Sequence, residues 1–235
     1  MKWSEFFTSS IGKKFVMGLT GIFLVLFLIV HVSINACIFA DLPIFNAEDN
    51  GRMFNVAAHF MGSTVLIRIL EYGLFIGILL HIVQGYALTV KNRAARGVGY
   101  AVNLGNRGSK WYSRSMGLLG TLILLFLILH LGHFWTKARF TDQLSPVTYN
   151  GVEMHDMFTR MKDVFASPLV VLVYILGCIS LAYHLAHGFQ SAFRTVGVHN
   201  KKYNILLTSL GYGFSIIVPL VFALMPIAMH FGWVA

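Results

Sequence analysis

Charge is scarce in this chain. Asp, Glu, Lys and Arg make up only 11% of 235 residues. A soluble domain of that length could not cover so much apolar surface, and that class is excluded. Cysteine is scarcer still. Cys37 and Cys178 fall on different apolar segments. They form no disulfide framework, no CxxC pair and no CxxCH attachment site. Both read as small packing residues. Low-complexity tracts and nucleic-acid motifs are absent. Negative charge is the scarcer sign, with nine acids against 18 Lys and Arg, and the net charge is +9.

What is present is apolar. Hydrophobic residues make up 57% of the chain, and the mean hydropathy is +0.71. A helix needs about 20 apolar residues to cross the hydrocarbon core. Five charge-free runs meet this: Phe15–Ala40, Tyr72–Val90, Ser115–Thr136, Val164–Phe193 and Tyr203–Ala235. The second is expected to start earlier, near Ser63, and to carry Arg68 and Glu71 close to its entry. The expected fold is all-α and integral to a membrane, with five transmembrane helices in a single domain over residues 1–235. Lys13 and Lys14 precede a long apolar run that no small-residue cleavage motif closes. That run is expected to be retained as a helix, not removed as a signal peptide.

The position of the basic residues predicts the orientation. Lys2, Lys13 and Lys14 lie before the first run. The loop "KNRAARGVGYAVNLGNRGSKWYSR" carries Lys91, Arg93, Arg96, Arg107, Lys110 and Arg114, and Arg194, Lys201 and Lys202 follow the fourth run. Only Glu5 opposes them. The other two loops hold Arg52, Lys137, Arg139, Arg160 and Lys162 against seven acids. Basic loops stay on the cytoplasmic side, which places the N-terminus inside and the C-terminus outside. These loops either set topology alone or also dock a soluble partner and anionic groups.

Four of the ten histidines lie within separate runs: His31, His81, His130 and His184. With a rise of about 1.5 Å per residue, His31 and His130 fall near the outer side, and His81 and His184 near the inner side. The two planes are expected roughly 15 Å apart in a core about 30 Å thick. Glycines repeat with them. Gly21 and Gly120 each stand ten residues before a histidine, in helices one and three. Gly85 and Gly188 each stand four after one, in "HIVQG" and "HLAHG". A glycine on the histidine face admits a flat, bulky group or a neighbouring helix. Ten residues of helix match the spacing between the planes. A helix that supplies a histidine at one level would therefore supply a small residue at the other. Paired neutral imidazoles on facing helices suit the axial ligation of haem iron, and two planes imply two non-covalent b haems. The alternative for any single intramembrane histidine is a hydrogen bond or a proton relay. His133 and His187 lie a turn from two of the four. His59, His155, His199 and His230 read as solvated.

The pattern resembles the cytochrome b membrane-anchor subunit of succinate dehydrogenase and fumarate reductase, in its single-chain, five-helix, diheme form. The resemblance covers nearly the whole chain and rests on "GIFLVLFLIVHVSIN", "FNVAAHFMGS", "LEYGLFIGILLHIVQGYAL" and "YILGCISLAYHLAHGFQSAFRTVGV". It implies four bundle helices holding two haems, plus one peripheral helix. His81 and His184 would ligate the haem nearer the soluble subunits, and His31 and His130 the distal one. In "LHLGHFW", His133 is the alternative to His130. The resemblance also implies a flavoprotein and an iron–sulfur partner on the cytoplasmic face of a bacterial inner membrane. Electrons would pass through the haems to or from a quinone, commonly menaquinone. Glu71 would handle protons at a distal quinone site; its other reading is an ion pair with Arg68 three residues back. Arg194, with Lys91 and Arg93 behind it, would face haem propionates. Ala182 stands where some fumarate-reducing relatives carry Glu two residues before the fourth ligand. Rival readings are a hydrogenase- or formate-dehydrogenase-type cytochrome and a histidine-relay transporter. The transporter would need broken helices, and Pro168, Pro219 and Pro226 avoid the middle of every ligand-bearing helix.

Overall fold

The structure, a computed structural model, describes residues 9–46, 48–96, 110–198 and 200–234. Lys2, Glu5, Arg107 and His199 lie outside the described residues, as do the side chains of Arg96 and Lys201. Helices dominate: α1 (Ser10–Ala36), α2 (Arg52–Ser63), α3 (Val65–Arg96), α4 (Trp111–Arg114), α5 (Met116–His130), α6 (Thr136–Phe140), α7 (Met157–Phe165), α8 (Pro168–Thr195) and α9 (Lys201–His230). A π-helical turn, Leu131–Trp135, joins α5 to α6, so that Met116–Phe140 runs as one rod. Five helical segments are long and apolar enough to cross a membrane: Ser10–Asp41, Val65–Ala95, Met116–Phe140, Pro168–Thr195 and Lys202–His230. The fold is that of an all-α integral membrane protein.

Helix is the conformation hydrocarbon enforces, because it satisfies every backbone polar group within the segment. The few hydroxyls in these helices follow the same rule. Thr20 donates to the Val16 carbonyl, Ser33 to Ile29 and Thr89 to Gly85. Leu26, Leu79, Leu125, Leu172 and Ile216 point outward. Such side chains are stable there only against lipid or another apolar surface.

Two boundaries differ from the charge-free runs. The fourth run begins at Val164, yet Val164 and Phe165 belong to the short amphipathic helix α7. Pro168 then opens α8, because proline fits the first helical turn and keeps the residue before it out of helix. The fifth helix ends at His230 and not at the chain end. Gly232, at φ +65°, turns the backbone there, and Trp233 N–H closes on the Ala228 carbonyl. The loop before α7 also holds a two-stranded hairpin, Pro146–Tyr149 against Val152–His155. Its Asn150-Gly151 turn has both residues at positive φ, the pairing that matches strand twist.

Contacts divide the chain into two compact units. The first comprises Met1–Phe27, Tyr72–Leu122 and Ser180–Ile216. Close helix approaches define it. A Cβ on Gly77 would lie 3.0 Å from the Phe23 ring, and one on Gly18 would lie 3.2 Å from Thr195 Cβ. Tyr112 and Tyr212 share a hydroxyl–hydroxyl bond of 3.0 Å. The second unit comprises Leu28–Glu71, Ile123–Ile179 and Ile217–Ala235. It holds the main apolar cluster, including Ile38, Phe54, Phe158, Phe165, Tyr174, Met225 and Met229. His230, expected to be solvated, instead meets the Phe165 carbonyl through Nδ1 at 2.9 Å.

Asn55 ties α2 to α7 within the second unit. It is 1% exposed. Its Oδ1 accepts from Phe158 N–H at 2.9 Å, and its amide donates to Asp156 Oδ1 at 3.0 Å. Burial pushes the Asp156 carboxyl up, but hydrogen bonds from the Thr159 N–H and hydroxyl, the Asn55 amide and the Phe158 N–H outweigh it. The net result lies below the usual carboxylate range. A depressed folded pKa stabilises the fold above the ordinary carboxylate pKa, and that share is lost as pH falls through the folded value. Asn55→Ala should cost about 1–3 kcal/mol by leaving buried groups unpaired. Thermal unfolding in detergent should give a lower midpoint at pH 7, and the deficit should shrink in acid as Asp156 protonates.

Candidate functional site

The structure brings the four span histidines together as two pairs, one in each unit. In the first unit His81 on α3 faces His184 on α8, with ring centroids 6.2 Å apart and planes at 63°. In the second, His31 on α1 faces His130 at the end of α5, at 5.7 Å and 88°. Two imidazoles bonded to opposite faces of one iron at about 2 Å each have centroids roughly 6 Å apart. Both separations fit that requirement.

Hydrogen bonding within each pair is unequal. Thr20 Oγ1 lies 3.2 Å from His81 Nδ1, and Asn35 Nδ2 lies 3.4 Å from His31 Nδ1. Asn35 is fixed in turn by its 2.8 Å bond to the His31 carbonyl. Thr20 spends its own hydroxyl hydrogen on the Val16 carbonyl, so it accepts from His81 Nδ1–H and leaves the His81 Nε2 lone pair to serve as a ligand. The facing residues differ: the Nδ1 atoms of His130 and His184 are buried without a hydrogen-bond partner. Among the described residues, no cluster of three or more His, Cys, Asp or Glu is placed to hold a metal ion. A metal here would therefore draw most of its ligands from elsewhere, as from a porphyrin. The residues fit haem.

Three of the four expected glycines border the first pair. A Cβ on Gly21 would sit 3.8 Å from His81 Cε1, one on Gly120 would sit 3.9 Å from His184 Cε1, and one on Gly188 would sit 3.9 Å from His184 Cδ2. Gly21 and Gly120 come from the helices whose histidines belong to the other pair. Gly85 has a different neighbour, the Met17 methyl at 3.1 Å.

The second pair is walled by aromatics. Phe126 stacks on His130 at 5.7 Å and 22°, and Phe222 of α9 packs on His31 at 5.5 Å. Gly177 makes room for Phe126, because a Cβ there would stand 2.6 Å from its ring. His133 is engaged elsewhere. It stacks on Tyr174 at 12°, its Nδ1 meets the Tyr174 hydroxyl at 2.9 Å, and its carbonyl accepts from Arg160. No such contact pairs it with His31.

The cations expected near the inner histidines separate. Arg194 lines a cavity of about 250 Å³ with His187, Gln190, Ser191 and Thr195. Gln190 Nε2 is a buried donor without a partner. The lining is rich in donors and has no carboxylate, so it suits an anion. Lys91 instead donates to the Ser10 hydroxyl, and Arg93 is exposed on the last turns of α3.

Glu71 does not pair with Arg68, the partner that local spacing suggested. Arg68 Nε turns to the Gly62 carbonyl at 3.3 Å. Glu71 forms its ion pair with Arg139, Nη2 to Oε2 at 2.8 Å, and also accepts from Trp135 Nε1. Arg139 and Trp135 were not singled out from the sequence. Their i, i+4 spacing was visible, but the 68-residue separation from Glu71 was not bridged by any local signal.

No family model matches the chain, and no solved structure matches it. The succinate dehydrogenase cytochrome b558 subunit of Bacillus subtilis (strain 168) is 29% identical over 176 residues, which cover 74% of this chain and 73% of that protein. The match supports the resemblance to a succinate dehydrogenase cytochrome b anchor read from the sequence.

The glycine at 177 gives a direct test of the packing beside His130. Gly177→Ala should lower the thermal unfolding midpoint, with a cost of about 1–3 kcal/mol from overpacking against Phe126. Gly73→Ala, where no atom lies within 4 Å of the added Cβ, should leave it unchanged or raise it.

Proposed function

We propose that the chain is the diheme cytochrome b subunit of a succinate:quinone oxidoreductase. It anchors a flavoprotein and an iron–sulfur subunit on the cytoplasmic face and passes electrons between them and a membrane quinone. The quinone is menaquinone by resemblance. The observation that carries this reading is the pair of facing histidines in each unit, at 6.2 and 5.7 Å. The similarity to a succinate dehydrogenase cytochrome subunit supports the assignment to that complex.

When bound, haem supplies a one-electron couple on each side of the membrane interior. His81 with His184, and His31 with His130, would hold it. Thr20, by accepting from Nδ1–H, fixes the tautomer and ring angle of His81, which tunes that ligand's basicity. Gly21, Gly120 and Gly188 leave space at the first pair for a flat macrocycle. Arg194, Gln190 and Ser191 offer donors to a propionate in their cavity. Lys91 and Arg93 belong to the same basic face, which would lie against the partner subunits in a cytoplasmic-N-terminus topology.

Quinone chemistry moves protons as well as electrons, so it needs a titratable group near the membrane edge. Glu71 fills that role. It lies within a crossing helix, in the same unit as His31 and His130, and its side chain is 21% exposed. A group so placed reaches both the lipid-soluble substrate and the aqueous boundary.

Two experiments test the reading. His81→Ala and His184→Ala should each remove the same redox centre, and His31→Ala and His130→Ala the other, while His133→Ala keeps both. Redox titration of the visible bands resolves this. A His130→Ala variant that keeps two centres would overturn the second assignment. Glu71→Gln should keep both centres and the soluble partners, and succinate-to-dye transfer should continue. Electron transfer with quinone should fall by roughly two orders of magnitude. Near-parental quinone activity would remove Glu71 from the reaction.

A further inference from the structure

Glu71 is held by more than one ion pair. Arg139 makes three hydrogen bonds with one guanidinium: Nη2 to Glu71 Oε2 at 2.8 Å, Nε to Oε1 at 3.4 Å, and Nη1 to the Gly62 carbonyl at 3.2 Å. Trp135 Nε1 donates to the same Oε1. The Gly62 carbonyl also accepts from Arg68 Nε. The carboxylate is thus tied to the end of α2, to the π-helical turn and to α6, all within the second unit. The side chains of Arg139 and Glu71 are 23% and 21% exposed, so the pair is neither sealed in protein nor free in water.

We propose that Arg139 and Trp135 are positioning residues that aim Glu71 at the quinone ring. This rests on the reading of Glu71 given above. A carboxylate offers about four lone-pair sites. Arg139 takes one on each oxygen, and Trp135 takes the other on Oε1. The site left open is on Oε2. A quinol hydroxyl meeting Glu71 there transfers its proton: the quinol O–H bond breaks, an O–H bond forms on Oε2, and the bonding pair stays on the quinol oxygen. In quinone reduction the electrons come from the partner subunits of the proposed complex, and the reduced quinone oxygen takes the proton back from Oε2.

The local helix geometry serves this arrangement. Trp135 and Arg139 are four residues apart and so share a face. The five-residue π turn at Leu131–Trp135 sets which way that face points relative to His130. Such turns recur at functional sites because they redirect the helix beyond them. Phe140, 71% exposed, packs edge-on against Trp135 at 5.2 Å and 77°. An aromatic surface open to lipid therefore borders the carboxylate, as a ring substrate arriving from the bilayer requires.

The test is a double-mutant cycle on the assembled complex, with a short-chain quinol as substrate. Arg139→Gln should lower kcat about tenfold or more, and at most roughly a hundredfold, with KM little changed. Trp135→Phe, which keeps the ring and loses the N–H, should lower kcat less. In the Glu71→Gln background, Arg139→Gln should add no further loss, because its effect passes through Glu71. Haem content and co-purification of the partner subunits confirm assembly. If Arg139→Gln does not assemble, Trp135→Phe carries the same cycle. Equal losses in the parent and Glu71→Gln backgrounds would overturn the proposal, as would a change confined to KM. Glu71→Gln with parental activity is a different result, because it removes the underlying role of Glu71 itself.

Discussion

An imidazole inside a membrane span has two ring nitrogens to satisfy and no water to satisfy them. Four of the span imidazoles stand in two facing pairs. One member of each pair is tethered through Nδ1, by Thr20 or by Asn35. The other has a buried Nδ1 with no partner. Glycines on three helices and the stacked Phe126 keep the neighbourhoods of these rings flat and close-fitting. The surrounding helices follow from the same solvent: without water, the backbone must be helical and the side chains apolar.

Away from the histidines, two polar sets are closed by pairing. Glu71 is bound to Arg139 and Trp135 near one end of its helix. Asn55 and Asp156 join the segments outside the long spans through a closed hydrogen-bond set. The donor-rich cavity around Arg194 is the counterpart in the first unit, where an anion rather than a carboxylate side chain would complete the set. The two units thus differ in chemistry: hydrogen-bond donors line a cavity in one, and a carboxylate is held by a cation in the other.

Much of this was legible in the residues. The five apolar runs located the crossing helices, and the histidine depths already grouped His31 with His130 and His81 with His184. The ten-residue offset of Gly21 and Gly120 pointed to the pair each would border. Other features lay beyond local pattern. Glu71 was expected to pair with Arg68 because sequence reasoning sees i, i+3 neighbours and not contacts 68 residues away. His130 was favoured with His133 as its alternative, and the π turn that begins after His130 and contains His133 was not legible. Gly177 gave no signal, since its role depends on Phe126 from another helix. The Asn150-Gly151 hairpin was a readable turn signal overlooked within a loop between membrane spans. His230 was read as solvated because a helix end usually is, but the Phe165 carbonyl lies beside it.

The most direct measurement is the haem content of the purified chain. Two facing histidine pairs would hold about two b haems per polypeptide in a pyridine haemochrome assay, and both would be low-spin if each pair supplies two imidazole nitrogens. A folded, partner-bound protein carrying one haem would contradict the equivalence of the two pairs. One carrying none would contradict haem binding altogether.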